Sequence, residues 1–233
     1  MINTVKNYEH EMGHDPHSIG MTYLFLWPLS KPNEPLWSSP ADSISPGFDD
    51  NLGEGRLSLD PPANDGSKVV LLDTDHFSPF SSSALWVWKA FLRGHHPILS
   101  DLGILSGVFR RVRPKACRPS IRWSRRDEPL GDARGYAERI GLVTLQPRPE
   151  QISTEFVVAD PGKEYLILQP SEMAEQFTIA RSPGRYAVEW HILVSRETVP
   201  CALLTTPDDS KITMSAPTAS AGPVVLHLLR IAS

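Results

Sequence analysis

Cysteine is nearly absent from this sequence, and long apolar runs are missing. Cys117 and Cys201 are the only cysteines in 233 residues. They are too few for a disulfide framework and too far apart for a zinc knuckle, and they indicate no redox compartment. No apolar run approaches the roughly 18 residues that a membrane span needs. The first residues, MINTVKNYEHEMGHD, lack the apolar stretch and cleavage site of a secretory signal. The sequence therefore predicts no membrane partner.

An excess of charge of one sign is also missing. The formal net charge is −4, which exerts no overall attraction on nucleic acid or acidic membranes. One basic cluster, between Arg110 and Arg126 and including Trp123, could contact phosphates and stack a base. Because acidic residues follow in the next helix, we interpret this cluster as a solvated connector and predict no nucleic-acid partner.

The apolar pattern divides the chain into two parts, the first of which mixes helices and strands. Three helical patterns alternate there with short apolar runs, and a long loop rich in turn residues follows the first of these runs. In chain order the predicted elements are a helix over 2–14, a strand over 19–27, a loop over 28–66 with a short helix starting at 39–42, a strand over 69–72, a helix between Ser83 and Gly94, a strand at 98–99 and a helix over 127–142.

The second part contains short strands separated by turn clusters, which is typical of a β-sandwich or barrel. The turn Asp160-Pro161-Gly162-Lys163 predicts a hairpin, since Pro presets φ at its second position and Gly accepts positive φ at its third. Further strands are predicted over 176–180, 185–194, 199–205, 211–215 and 224–231. The predicted fold class is therefore an α/β region over residues 1–145 followed by an all-β region over 146–233.

Polar side chains cluster where two predicted parallel strands end. Asp73, Asp75 and His76 follow the first strand, and Asp101 follows the second. In strand–helix–strand units functional side chains gather at this edge of the sheet. Two neighbouring carboxylates can act as acid and base, and one of them can orient an imidazole. The alternative is that these residues cap the helix or close a loop.

Two further patterns carry weaker functional predictions. His10-Glu11-Met12-Gly13-His14 matches the H-E-x-x-H motif of zinc peptidases, in which both histidines share one helix face and bind zinc. Its extended form is absent, and Pro16 interrupts the helix, so a chance match is the better interpretation. Tyr186 and Trp190 could stack on sugar rings, although aromatic residues along a strand are more often core.

Several segments together resemble one family of bacterial proteins. The family comprises glycoside-hydrolase-like (β/α)8 barrels that carry a C-terminal β-sandwich labelled as collagen-binding. The DTDH to FLRG block and the ADPGKEYL hairpin are its specific motifs here. The matching segments, in family order, are GMT (20–22), SPADSISP (39–46), DGSKVVLLDTDH (65–76), WVWKAFLRGHHPIL (86–99), RGYAERIGL (134–142) and ADPGKEYLILQP (159–170).

The resemblance implies that the chain begins late in the barrel, with residues 19–25, 69–72 and 98–100 as its sixth, seventh and eighth strands. In this family the general acid follows the fourth strand and the nucleophile ends the seventh. Asp73 and Asp75 are therefore the candidate catalytic residues. His76, Asp42 and Asp101 are candidate substrate-binding residues, and no metal or cofactor is predicted.

The implied function is that of a fragment that acts on or binds carbohydrate or polysaccharide and is not catalytically competent alone, since hydrolysis needs two carboxylates. Phe77-Ser78-Pro79-Phe80 and His96-Pro97 depart from the family pattern beside the seventh and eighth strands. The resemblance also implies that the parent proteins are secreted or periplasmic. The alternatives are a non-catalytic sandwich that binds polysaccharide or matrix protein and, less favoured, a zinc peptidase.

Overall fold

A computed structural model describes residues 1–23, 33–47, 57–73, 83–98, 127–171, 173, 176–208, 211–216 and 222–231. The elements of its first part are helix α1 (Ile2–Met12), strand β1 (Gly20–Thr22), helix α2 (Glu34–Trp37), strand β2 (Ser43–Ser45), strand β3 (Val69–Asp73), helix α3 (Ala84–Leu92), strand β4 (His96–Ile98) and helix α4 (Asp127–Arg139). The second part begins with strand β5 (Gln146–Pro147) and a 3₁₀ turn (Pro149–Gln151), and continues with strands β6 (Val157–Asp160), β7 (Glu164–Gln169), β8 (Phe177–Ala180), β9 (Gly184–Ile192), β10 (Thr198–Thr206), β11 (Lys211–Met214) and β12 (Val224–Arg230).

Strands β1 to β4 form a parallel sheet in the order of the chain. One face of this sheet is apolar, and Ile44, Val70 and Leu72 on it are buried in the same core as the side chains of α3. Because the four strands are parallel, their amino-terminal ends all lie on one side of the sheet, here called the amino edge. Their carboxyl-terminal ends lie on the opposite side, here called the carboxyl edge.

Strand β2 is a correction to the sequence prediction, which placed a short helix at residues 39–42. The helix instead occurs earlier, as α2, with Pro35 in its first turn. The carbonyl groups of Ser39 and Ala41 both accept hydrogen bonds from Lys68 Nζ, at 2.6 and 2.9 Å. Because the lysine that precedes the neighbouring strand β3 holds these carbonyls, the segment enters the sheet rather than a helix.

Helix α3 begins and ends as the sequence predicts. Ser83 Oγ accepts a hydrogen bond from the backbone N–H of Trp86 at 3.1 Å, which caps the first turn. Gly94 follows the helix with φ +79°, the left-handed conformation that glycine adopts without strain. Trp86 Nε1 donates to Leu57 O at 2.8 Å, so the helix also fixes a loop on its outer side.

The second part forms a six-stranded antiparallel sheet in the order β10-β9-β12-β7-β6-β5, with a two-stranded sheet of β11 and β8 beside it. The predicted hairpin is confirmed: Lys163 N donates to Asp160 O at 2.9 Å, and Gly162 has φ +84°. The other predicted strands are also present, with ends that differ by one or two residues.

The central strands β12, β7 and β6 of the six-stranded sheet are buried on both faces. Tyr165, Ile167 and Trp190 point to one side, where Phe177 and Ile179 of β8 cover them. On the other side the sheet packs against α3 and α4. The residues of the sheet and its flanking loops that share this second core are Phe156, Val158, Leu166, Leu168, Leu193 and Val225. The α/β region and the antiparallel sheet therefore have one core in common.

The mixed α/β class, with a parallel and an antiparallel sheet, is confirmed. The closed barrel, the sandwich and the boundary at residue 145 stay predictions. None of the helices in the described part of the chain has the length and apolar character that crossing a bilayer requires.

Replacement of Trp88 tests the shared core. Its ring is almost fully buried and lies 5.4 Å from that of Tyr136 on α4. We expect Trp88→Ala to lower the free energy of unfolding by about 3–5 kcal/mol, through lost burial and the cavity left behind. Urea denaturation measures it, with the exposed Val143→Ala as the control, expected within about 0.5 kcal/mol of wild type. A loss for Trp88→Ala no larger than the control's would contradict the shared core.

Candidate functional site

The carboxyl edge of the parallel sheet carries the candidate site. Asp73 is the last residue of β3 and is half-buried, and its register partner on the neighbouring strand is Ile98. This is the position predicted for the first candidate carboxylate. Asp75, His76 and Asp101 lie outside the described residues, so their predicted roles stay predictions.

Tyr23 and Gly47 form a second feature of this edge, which the sequence did not reveal. Tyr23 follows β1, and its backbone N–H donates to Ser45 O at 3.0 Å. The Tyr23 ring lies so close to Gly47 that a Cβ on that glycine would be 2.3 Å from ring atom Cδ1. Glycine is therefore required here by a close approach. Tyr23 thus places a half-buried aromatic ring at this edge.

Asn33 attaches helix α2 to the same edge. The side chain is fully buried, and its Oδ1 accepts a hydrogen bond from Gly47 N at 2.9 Å. Glu34 comes next in the chain and is exposed in the first turn of α2. Glu34 is thus a second acidic residue near the edge on which Asp73 lies, and it was not predicted from the sequence.

Asp42 lies at the amino edge, immediately before β2 and on the opposite side of the sheet from Asp73. Its carboxylate accepts hydrogen bonds from Ile19 N at 2.9 Å and Lys6 Nζ at 2.6 Å. The N–H of Ile19, followed by Lys6, lowers the pKa of Asp42. The residue therefore attaches α1 to the amino edge, away from Asp73, and its predicted substrate-binding role stays a prediction.

The HEMGH motif does not form the helical pair of histidines that a zinc peptidase needs. Helix α1 ends at Met12, and Gly13 adopts φ +68°, so His10 and His14 do not share a helix face. Glu9 instead accepts hydrogen bonds from the backbone N–H of His17 at 3.2 Å and from His17 Nδ1 at 2.7 Å, which lower the pKa of Glu9. In the described part of the chain, no group of three His, Cys, Asp or Glu side chains could hold a metal ion.

The sugar-stacking role of Tyr186 and Trp190 is wrong. Tyr186 is 0% exposed and Trp190 3% exposed. Their rings pack edge-on against Tyr165 and Phe177, each with centroids 6.0 Å apart. Among the described tyrosine, tryptophan and phenylalanine residues, Tyr8 alone is exposed. The described part of the antiparallel region therefore presents no aromatic platform for a sugar.

A cluster of polar side chains, here called the interlayer polar cluster, joins α4 to the six-stranded sheet. Tyr136 on α4 donates its hydroxyl proton to Glu189 Oε1 at 2.7 Å, and Arg139 forms an ion pair with the same carboxylate. His227 and Glu164 form a second pair, at 2.8 Å. The cluster also contains Asp132, His191 and Arg196.

The protonation states of the interlayer polar cluster follow from its burial. Burial, followed by the hydrogen bond to Glu189, raises the pKa of Tyr136. At Glu189, burial raises the pKa, but the hydrogen bonds from Arg139 and Tyr136 together outweigh it, so the pKa is lowered. Burial lowers the pKa of His191. Tyr136 is thus neutral and Glu189 ionised at neutral pH, as their hydrogen bond requires, and the cluster holds two layers together.

Comparison with solved structures shows a likeness of fold. The chain is 9% identical to a family 5 glycoside hydrolase from Bacteroides vulgatus, with a TM-score of 0.51 over 81% of this chain and 55% of that one. Another protein, described as a glycoside hydrolase, aligns with a TM-score of 0.48 at 8% identity, over 82% of this chain and 43% of that one.

A xyloglucanase of family 44 from Paenibacillus polymyxa aligns with a TM-score of 0.39 at 9% identity, over 82% of this chain and 47% of that one. The chain thus spans about half the length of these solved chains. No protein-family model matches the chain, and no curated protein matches it. The match with a TM-score of 0.51 shows a fold like that of a glycoside hydrolase and carries no activity with it.

Replacement of Gly47 tests the geometry of the carboxyl edge. We expect Gly47→Ala to lower the free energy of unfolding by about 1–3 kcal/mol, because the new methyl group forces the Tyr23 ring to move. Gly135→Ala is the matched control, since a Cβ there meets nothing within 4 Å and alanine stabilises a helix by about 0.5–1 kcal/mol over glycine. Urea denaturation of both variants gives the difference, and equal effects would contradict the close contact.

The acid dependence of stability tests the interlayer polar cluster. We expect Glu189→Gln to lower the free energy of unfolding by about 1–3 kcal/mol at pH 7, because it removes hydrogen bonds to a charged group. The pKa of Glu189 lies below its ordinary value of 4.5 in the folded chain. Its contribution is therefore complete above pH 4.5 and disappears as the pH falls through the folded value.

The difference between wild type and Glu189→Gln should accordingly shrink in acid. Urea denaturation at pH 7, 5 and 3.5 measures it. Glu138→Gln is the control, because Glu138 pairs with Arg134 on the exposed face of α4 and such pairs contribute about 0.3–0.5 kcal/mol. A pH-independent difference would show that Glu189 stabilises the fold through packing alone.

Proposed function

We propose that this chain is the C-terminal part of a glycoside-hydrolase-like (β/α)8 barrel followed by a β-sandwich, and that its carboxyl edge contacts carbohydrate. The observation that carries the proposal is the position of Asp73, at the carboxyl end of a parallel strand. Active sites of (β/α)8 barrels are built at that end of the strands. The likeness of fold to a family 5 glycoside hydrolase supports the barrel.

In the proposed barrel the strand numbering would differ from the one that the resemblance implied. Counting back from β3 and β4 as the seventh and eighth strands, β2 becomes the sixth and β1 the fifth. The strand that carries the general acid in the family would therefore precede β1 directly. Asp73 keeps its position on the nucleophile side of the proposed site.

The proposed role is binding without efficient hydrolysis. Glycoside hydrolysis requires two carboxyl groups about 5 Å apart for retention, or about 6.5–9.5 Å apart for inversion. Asp73 ends β3, whereas Glu34 lies in the connection between β1 and β2. Tyr23 follows β1 and is therefore two strands from Asp73, about 10 Å away by strand spacing. Such an edge is suited to contacting several hydroxyl groups of an extended glycan.

The alternative, a non-catalytic sandwich that binds polysaccharide or matrix protein, is less supported. Its candidate stacking residues, Tyr186 and Trp190, are core residues. The proposal therefore assigns carbohydrate contact to the α/β region.

Binding to a panel of soluble polysaccharides tests the proposal, with turnover of aryl-glycosides measured in parallel. We expect binding without turnover. Asp73→Asn should weaken binding about tenfold, since a hydrogen bond to a charged group contributes about 1.5–3 kcal/mol. Glu34→Gln serves as a second variant of the same edge, and Glu138→Gln on the far helix α4 as the control.

The outcome that contradicts the proposal is a folded wild-type chain that binds no polysaccharide, or binding that Asp73→Asn and Glu138→Gln leave equally unchanged. Turnover lost in Asp73→Asn would contradict the statement that the chain is not competent alone, and would support the hydrolase assignment.

A further inference from the structure

We propose that the interlayer polar cluster is a proton-sensitive latch, which releases helix α4 from the antiparallel sheet in weakly acidic solution when the Nε2 atom of His191 takes up a proton. Such a latch acts whether or not the carboxyl edge of the parallel sheet binds carbohydrate. Three features of the cluster support it: the enclosure of the His191 ring, the direction of the hydrogen bonds around it, and the charges that surround it.

The His191 ring is enclosed between the two layers that meet at the cluster. His191 lies on β9 and is 3% exposed. Its ring centroid lies 5.8 Å from that of Trp88 on α3 and 5.7 Å from that of Tyr136 on α4. On its own sheet, His191 Nδ1 lies 3.2 Å from Thr198 Oγ1 on β10. Water reaches so little of this ring that a charge on it is poorly solvated while α4 is in place.

A chain of hydrogen bonds determines which ring nitrogen carries the proton of neutral His191. The ionised Glu189 accepts the hydroxyl proton of Tyr136 at 2.7 Å. Burial raises the pKa of Tyr136, and a hydrogen bond donated by the Thr198 hydroxyl opposes that shift. Because the Thr198 proton is used in this bond, its oxygen accepts from the Nδ1–H of His191. The Nε2 atom is therefore the one without a proton.

The Nε2 atom of His191 faces a carboxylate rather than a donor. It lies 3.7 Å from Asp132 Oδ2 on α4, and it has no hydrogen-bond partner among the described residues. The two oxygens of Asp132 already accept hydrogen bonds from Arg196, each at 2.8 Å. Two acceptors thus face each other across the contact between β9 and α4. A buried acceptor without a donor is rare in folded proteins, and this one is the atom that can take up a proton.

The surroundings of His191 oppose its protonation while the layers are in contact. Burial lowers its pKa; the carboxylates of Asp132 and Glu189 raise it, and the cations Arg196 and Arg139 lower it. Each of these carboxylates is already paired with an arginine, so burial decides the direction. The neighbouring α3 and β10 contribute the uncharged Trp88 and Thr198. The other ionisable groups of the cluster are Glu128 and Tyr136 on α4, Glu164 on β7 and His227 on β12.

The sign of the pH effect follows from the lowered pKa. When α4 is released, water reaches His191 and its pKa returns to the ordinary value of 6.5. The released form then binds the proton more tightly than the closed form. The closed form therefore has its full stability above pH 6.5 and loses stability as the pH falls below that value. Glu189 has a pKa below 4.5, so the interval between pH 6.5 and 5 separates the effect of His191 from that of Glu189.

Hydrogen exchange of the α4 amides as a function of pH tests the latch. We expect their protection, corrected for the intrinsic pH dependence of exchange, to fall about threefold to tenfold between pH 7 and 5.5. The reason is that uptake of one proton changes an equilibrium by at most about tenfold per pH unit. The amides of β7 and β12, the central strands of the sheet, are the internal reference and should keep their protection.

Three variants carrying the same substitution identify the proton-binding residue. His191→Gln removes the titrating ring and keeps a side chain that can donate to Thr198, so the pH dependence of α4 protection should disappear. His14→Gln is the matched control at an exposed histidine and should keep the wild-type pH dependence. His227→Gln removes the neighbouring ring, which lies 2.8 Å from Glu164, and should keep it as well. Loss of the pH dependence in His227→Gln but not in His191→Gln would overturn the assignment.

Equal protection of α4 at pH 7 and 5.5 in the wild-type chain would overturn the proposal. An equal loss of protection at β7 and β12 would overturn it too, because the whole fold would then open rather than α4. If His191→Gln does not fold, an NMR titration of the His191 ring in the wild-type chain decides the question. A midpoint below pH 6.5 supports the latch, and a midpoint at or above pH 6.5 contradicts it.

Discussion

The packing of α3 and α4 onto the six-stranded sheet is the constraint on which the rest of the structure depends. An antiparallel sheet commonly leaves one face to water, but here the Trp88 and Tyr136 rings, 5.4 Å apart, lie between the helices and that face. Polar residues that a solvated face would expose are consequently buried. Glu164, Glu189 and His227 therefore need partners, because an unpaired buried polar group costs several kcal/mol. The interlayer polar cluster is the consequence of burying a second face.

The two edges of the parallel sheet differ in the contacts that their described residues make. The amino edge is tied by Lys6 to Asp42, by Lys68 to the carbonyls before β2, and by His95, whose ring bonds the Pro62 carbonyl at 2.6 Å. Burial lowers the pKa of His95 to about 4, so the ring is neutral when it makes this contact. The carboxyl edge instead carries Asp73, with Asn33 and Tyr23 arranged around Gly47. This division is the one expected of a barrel, in which the bottom of the strands stabilises and the top acts.

The sequence predicted elements whose cause is local and missed those whose cause is distant. The α3 helix and the Gly162 hairpin were predictable, because Ser83, Gly94 and Pro161 act within a few residues of themselves. Strand β2 was missed because its position depends on Lys68, which lies more than twenty residues away in the chain. The Lys68 side chain donates hydrogen bonds to the carbonyl groups of Ser39 and Ala41, just before the strand. The position of Asp42 at the amino edge was not predicted, because sequence similarity does not say at which end of a strand a residue lies.

In the candidate site, too, the locally determined residue was predicted and the contact between distant segments was missed. Asp73 follows an apolar run, and the end of a run can be read from the sequence. The contact of Tyr23 with Gly47 joins the ends of two strands. It could not be predicted, because a glycine has no side chain that would indicate a contact in the sequence. Tyr186 and Trp190 alternate along β9 as surface aromatics would, yet the side to which they point is the covered side of the sheet. Alternation identifies two faces, and only the tertiary packing decides which of them meets water.

The proposed barrel and the proposed site at Asp73 are physically linked. Asp73 projects from the same face as Val69 and Ile98, so whatever covers those apolar residues also forms the surroundings of the carboxylate. A carboxylate beside an open sheet is screened by water, and its electrostatic interactions are weak. Within the proposed barrel the same group would lie in a less polar mouth, where a second carboxylate could separate the two pKa values and create an acid and a base. The chemistry proposed for Asp73 therefore depends on the barrel proposed around it.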